Sequence, residues 1–184
     1  FVFALPELKA FCGAEVVSHT LHNLYTLRGA KVRDALQWAD YIDAALEQAA
    51  GAEVVFHQHH WPVWGRERIR DFIVKQRDTY KFIHDQTVRL MNAGLSGAEI
   101  AEQVRMPKTL HEHLNVRGYY GTVRHNIKAV YQFYLGWFDA NPANLDPLPP
   151  VAAAAKYVAL AGGREPLLAA AEQDYAEGDY RWAA

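Results

Sequence analysis

Between Val32 and Ala49, apolar residues return at every third or fourth position, at Val32, Leu36, Ala39, Ile42, Leu46 and Ala49. That period predicts an amphipathic helix, closed by Gly51. The same spacing in Ile69, Phe72, Ile73, Tyr80, Ile83 and Leu90 predicts a second helix over 67–91, with Gly94 as its stop. Ser96 and Glu99 stand at capping-box spacing ahead of Ile100 and Val104, so a short helix is expected from about residue 97. Pro107 opens another helical piece through His113. Val123, Ile127, Val130, Tyr131, Tyr134 and Phe138 form one stripe of a helix over 122–138, broken by Asn141-Pro142 and by Pro147 to Pro150, the clearest linker in the chain. Ala152–Leu160 and Pro166–Ala176 read as two further helices separated by Gly162-Gly163, with Gly178 ending the second. Residues 10–28 lack helical periodicity. Ala14–Val17 is a short strand-like run before a polar, His-rich loop, and 53–57 is an apolar strand ending in histidines. Strand, loop, helix, strand and His loop follow the order found in the closing part of an αββα layered domain, so the fold class read from the pattern is α+β.

Composition narrows the functional classes. The chain has 184 residues, 51% hydrophobic and 22% charged, enough to bury a core. A formal charge of −2 leaves no reservoir of basic surface for phosphates, so nucleic acid is not an expected partner. No apolar run approaches the 18 or so residues of a transmembrane segment. Five Trp and ten Tyr exceed what a minimal core needs and are residues favoured in pockets and oligomer interfaces. The single Cys12 excludes an internal disulfide framework and is expected as a small buried apolar residue. The chain starts at Phe1 and both ends read as cut, so any signal peptide would lie outside it.

The chemistry-bearing residues concentrate near two strand ends. On an extended strand His57 and His59 face one way and His60 the other, so the three cannot grip one ion together, although one of them could. Read without further information, such a histidine is a capped or core residue beside Trp61, and Glu15 is a surface carboxylate. Asn23, Tyr25, Thr26 and Arg28 supply amide, hydroxyl and guanidinium donors suited to an oxyanion; the same residues also suit a polar loop capping the following helix. Asp34, Lys31 and Arg33 read as surface or helix N-terminal groups, with Asp34 favourable at the positive end of the helix dipole. His111-Glu112-His113 would point its imidazoles about 200° apart on a helix and reads as a solvated face. No Ser-His-Asp arrangement, partnered Cys nucleophile or phosphate-cradling Gly loop is present.

Glu15 together with the run His19 to Asp34, and the run His59-His60-Trp61-Pro62-Val63-Trp64-Gly65, resemble the zinc-dependent alkyl sulfatases of the metallo-β-lactamase superfamily. Arg117-Gly118-Tyr119-Tyr120-Gly121 through His125-Asn126 to Tyr134-Leu135-Gly136-Trp137 resembles the dimerisation region of the same family. The resemblance implies the terminal part of a metallo-β-lactamase αββα domain at 1–77, a mostly α-helical dimerisation region at 78–146 and further helices at 147–184. It implies Glu15 and His60 as metal ligands, and Asn23, Thr26, Arg28 and Tyr134 as sulfate-binding residues, with Tyr120 and His125 reaching the pocket. Two zinc ions are implied for the complete enzyme. The HxHxDH cluster and further Glu that the family places upstream do not occur in this chain, so it is not expected to carry a complete active site alone. An alkyl sulfate substrate, a homodimer and a periplasmic or secreted location are implied as well. The dimer is expected to use the stripes Tyr131, Tyr134 and Phe138 with Ile83 and Leu90. The alternatives are a non-catalytic helical dimerisation module, or a metallo-β-lactamase-fold hydrolase of another ester.

Overall fold

Alternation of buried and half-buried positions in two short apolar runs generates the centre of a four-stranded sheet. In the computed structural model, which describes residues 1–184, β1 (Phe3–Leu5), β2 (Ala10–Ala14), β3 (Val54–His57) and β4 (Val63–Trp64) lie in the order β1-β2-β3-β4. β1 and β4 pair antiparallel to their neighbours, and β2 pairs parallel to β3. A parallel pair needs a crossover, supplied here by α1 (Ala35–Gln48). Phe11 and Val55 point fully buried into the helical side, whereas Cys12 and Phe56 are half-buried on the other face. Helix α2 (Arg66–Met91) runs alongside α1, with Trp38 stacked on Tyr80 at 4.9 Å between ring centroids.

Short helices α3 (Gly97–Gln103) and α4 (Lys108–His111) lead to α5 (Val123–Leu135). The expected capping box is present: the Ser96 hydroxyl accepts from the Glu99 N–H, and the Glu99 carboxylate accepts from the Ser96 N–H at 2.8 Å. Ile83, Leu90, Ile100, Ile127 and Val130 join Phe11, Ile42, Val55 and Ile73 in one core. Residues 1–137 form one compact unit and 138–184 another. The second contains α6 (Pro150–Leu160), α7 (Arg164–Glu177) and α8 (Tyr180–Ala183), and none of these helices buries a residue within the chain. No helix is long and apolar enough to cross a membrane.

Several expected boundaries shift for local reasons. The strand expected at 14–17 is β2, over 10–14. Ala14 takes φ +46°, and the N–H groups of Val16 and Val17 both turn back to the Gly13 carbonyl. Helix α1 starts at Ala35 rather than Val32 because the Asp34 carboxylate caps the N–H groups of Leu36 and Gln37. Helix α5 stops at Leu135, where Gly136 takes φ +81°, ahead of the prolines expected to stop it. Helix α2 continues unbroken through residues 77 and 78. Ile83 and Leu90, expected on a partner-facing stripe, lie inside the unit's own core, whereas Tyr134 of the same stripe is exposed.

Candidate functional site

A loop from Gly13 to Arg33 and the turn after β3 meet at one end of the sheet, and buried polar groups fix the loop. The fully buried Asn126 accepts from the Leu24 N–H and donates to the His22 carbonyl, each at 2.9 Å. Removing that side chain strands two buried backbone groups at a cost of about 1–3 kcal/mol each. The Tyr80 hydroxyl accepts from the His22 N–H at 2.9 Å, and burial raises its pKa and keeps the phenol protonated. The Gly121 N–H donates to the Leu21 carbonyl at 2.7 Å, and the His125 ring donates from Nε2 to the Tyr25 carbonyl at 2.6 Å. Arg33 donates to the Asn23 carbonyl at 2.6 Å while its guanidinium lies 5.6 Å from the Trp38 ring centroid.

The loop and turn enclose a cavity of about 370 Å³. Glu15, His59 and His60 line one part of it, and Thr20, Thr26, Arg28 and Arg33 bring hydroxyl and guanidinium groups; His22, Tyr119 and Tyr120 complete the wall. Glu15 accepts a 2.8 Å hydrogen bond from His59 Nε2, the largest of the influences that hold its carboxyl below the ordinary range. His60 Nε2 is buried and has no hydrogen-bond partner in the protein.

Behind this wall, His19 Nδ1 lies 2.8 Å from His57 Nε2. His57 Nδ1 faces the Gln58 carbonyl at 3.1 Å, which can only accept. His57 therefore carries its proton on Nδ1 and receives the proton of His19 on Nε2. Burial, followed by the neighbouring His57 and His60, pushes His19 down to about 4, so both rings are neutral near pH 7. The His19 ring also packs on Trp61 and Phe72, with centroids at 5.3 and 4.8 Å.

The structure gathers Glu15, His60, Thr26, Arg28 and Tyr120 around one cavity. Asn23 is buried, and its amide donates to the Tyr120 carbonyl at 3.4 Å, so it braces the wall. His125 braces the loop through Tyr25 in the same way. Tyr134 departs from its expected place. It lies three turns along α5, about 16 Å from the start of that helix, where its hydroxyl meets His84 Nε2 at 2.8 Å. His84 Nδ1 donates to Asp85 at 2.8 Å, which leaves Nε2 to accept from Tyr134.

The expectation that His60 faces away from His57 also fails. The strand ends at His57 and His59 takes φ +75°, so the alternation is lost. His57 and His60 both pack against His19, and His59 swings out to Glu15. Arg33, read as a surface group, is a wall residue; its only sequence signal is an aromatic residue five positions later.

The donor types present fit a metal in part. A carboxylate oxygen and a partnerless imidazole nitrogen are groups that zinc accepts. No group of three or more His, Cys, Asp or Glu in the chain converges closely enough to hold an ion. In the same cavity lining, Arg28 and Arg33 carry the positive charge that an oxyanion requires.

Residues 96–184 match the alkyl sulfatase dimerisation family. Over 98% of its length the chain is 54% identical to the alkyl/aryl-sulfatase BDS1 of Saccharomyces cerevisiae, covering 28% of that protein. It is 47% identical over its whole length to a linear primary-alkylsulfatase of Pseudomonas sp., covering 27% of it. The solved structure of a stereoselective inverting sec-alkylsulfatase from Pseudomonas sp. superposes with a TM-score of 0.95 at 45% identity, over 99% of this chain and 29% of that one. The chain thus spans under a third of the length of these relatives.

Proposed function

We propose, the chain being a segment of the alkyl sulfatase family, that it forms one wall of a zinc-dependent site hydrolysing alkyl sulfate esters to alcohol and sulfate. The sheet with α1 and α2 is then the closing layer of a metallo-β-lactamase αββα domain. The observation that carries the reading is the cavity, which Glu15 and His60, with its partnerless Nε2, line together with Arg28, Arg33 and Thr26. Glu15 and His60 would hold metal, with the remaining donors coming from outside this segment. Bound zinc supplies Lewis acidity and water of lowered pKa.

The chain's own residues bind and orient the substrate. Arg28 is exposed and free to present its planar fork to two sulfate oxygens, a geometry that Lys cannot reproduce. Thr26 adds a hydroxyl donor. Tyr119 and Tyr120 offer aromatic surface to the organic part of the ester. Arg33 is already committed to the Asn23 carbonyl and Trp38, so its first duty is to hold the wall.

In the full-length protein, Arg28→Lys is expected to lower kcat/KM for an alkyl sulfate about 10- to 100-fold, the loss of one or two charge-assisted hydrogen bonds. Its melting temperature should stay unchanged, whereas Arg33→Lys should lower it. Sulfate release and thermal melting measure the two effects. Unimpaired hydrolysis by Arg28→Lys would overturn the role assigned to that residue.

The same reading makes the protein a homodimer. The helices of 138–184 bury nothing within the chain, and Val151, Leu160 and Trp182 stand 85%, 84% and 77% exposed. Apolar surface of that kind is ordinarily covered by association. Light scattering on the full-length protein should give twice the chain mass, with an interface of about 2,000 Å² or more. A monomer at micromolar concentration would contradict it.

A further inference from the structure

Glu15 and His59 stand at the ends of two adjacent parallel strands, and both strands leave regular geometry at the same level. In β2 the register slips between Cys12 and Ala14, and Ala14 takes φ +46°; beyond β3, His59 takes φ +75°. Ala14 and His59 are two of four non-glycine residues in the chain with positive φ. That region is unfavourable for any side chain bearing Cβ, and glycine or asparagine occupies it more readily. A histidine there has to be compensated by something. Burial is not the compensation, because the His59 side chain is 64% exposed. The polar contact that the His59 side chain makes is the hydrogen bond from Nε2 to Glu15 Oε1, at 2.8 Å.

We infer that His59 is a positioning residue, whose ring N–H holds one oxygen of Glu15 so that the carboxylate is pre-oriented, with the other oxygen left for a metal in the cavity. The inference rests on the reading of Glu15 as a metal ligand. The physical need is plain: Glu15 is half-exposed, and a free glutamate on a loop samples several rotamers, so an ion binding it would have to order it. Hydrogen bonds to ligating carboxylates remove that cost, and losing such a partner weakens metal binding about 10- to 100-fold. Backbone strain kept at a loop position for the sake of one polar contact is the pattern expected of a functional constraint.

The test separates this role from a structural one, because glycine at position 59 relieves the strain while deleting the contact. In the full-length protein, zinc affinity is measured by competition with a chromophoric chelator, and thermal melting is measured on metal-free protein. His59→Gly is expected to lower zinc affinity about 10- to 100-fold with the metal-free melting temperature unchanged or raised. His59→Gln, which keeps an N–H donor, should recover part of the affinity. If His59→Gly binds zinc within about twofold of the parent while Glu15→Ala loses zinc, Glu15 is a ligand that His59 does not position, and the inference falls alone. If Glu15→Ala itself keeps full zinc affinity, the ligand reading falls and takes the inference with it. A lower metal-free melting temperature for His59→Gly would also overturn it, by making His59 a structural residue.

Discussion

Replacing His60 by Phe in the full-length protein should lower alkyl sulfate hydrolysis by about 10²-fold or more, because it removes a proposed ligand of the metal that supplies the Lewis acidity, without lowering the stability of the metal-free fold. His60 sits among the rings of His19, Trp61 and Tyr119, a setting that another aromatic ring can share. Its Nε2 is buried with no protein partner, an arrangement that costs stability unless a ligand satisfies the nitrogen. Phenylalanine removes the orphaned group and keeps the packing, so metal-free protein should melt at the same temperature or higher. Glu15→Gln should behave alike on activity, because it removes the charge and keeps the volume. Hydrolysis rates and melting curves on the same samples measure both effects. A His60→Phe protein that melts far lower and hydrolyses normally would make His60 a core residue.

The largest expected effect on the fold comes from a single methyl group at Gly121. A Cβ there would stand 2.6 Å from the Leu21 carbonyl oxygen and 2.8 Å from both the carbonyl carbon and oxygen of His22. All three are backbone atoms, so no side chain can rotate away. The Gly121 N–H already binds the Leu21 carbonyl, so the two segments cannot part without losing that bond. Gly121→Ala should cost about 3 kcal/mol, the upper range for overpacking, and lower the melting temperature. It should also impair hydrolysis, since His22 and Asn23 anchor Arg33 and Tyr120. Gly51→Ala, where nothing lies within 4 Å, is the matched control and should be near neutral.

The parts of this structure that were legible in the sequence are those decided locally. The capping box at Ser96 and Glu99, the long amphipathic α2 and the apolar strand before the histidines depend on residues close along the chain. Asp34 reads as a helix N-terminal group, yet the apolar period carries the helix start three residues too far upstream. Periodicity reports a face, whereas the carboxylate bonds to Leu36 and Gln37 fix the first turn.

What the sequence concealed depends on backbone conformation or on distant partners. Alternation along a strand separates His57 from His60. One residue at positive φ undoes that, and neither the His19–His57 pair nor the His59–Glu15 pair could be foreseen from spacing. Tyr134 carried an expectation that rested on resemblance, and its hydroxyl is engaged by His84 instead. Arg33 lay hidden because its carbonyl and aromatic partners are set by the fold of the loop.

Glu15 and His60 are expected to bind metal in the cavity that Arg28 also lines. Anomalous diffraction at the zinc edge from crystals of the full-length protein tests this most directly. An anomalous peak is expected within about 2.0–2.2 Å of a Glu15 carboxylate oxygen and of His60 Nε2. Zinc peaks elsewhere in the protein, with His60 Nε2 left without a metal, would contradict it.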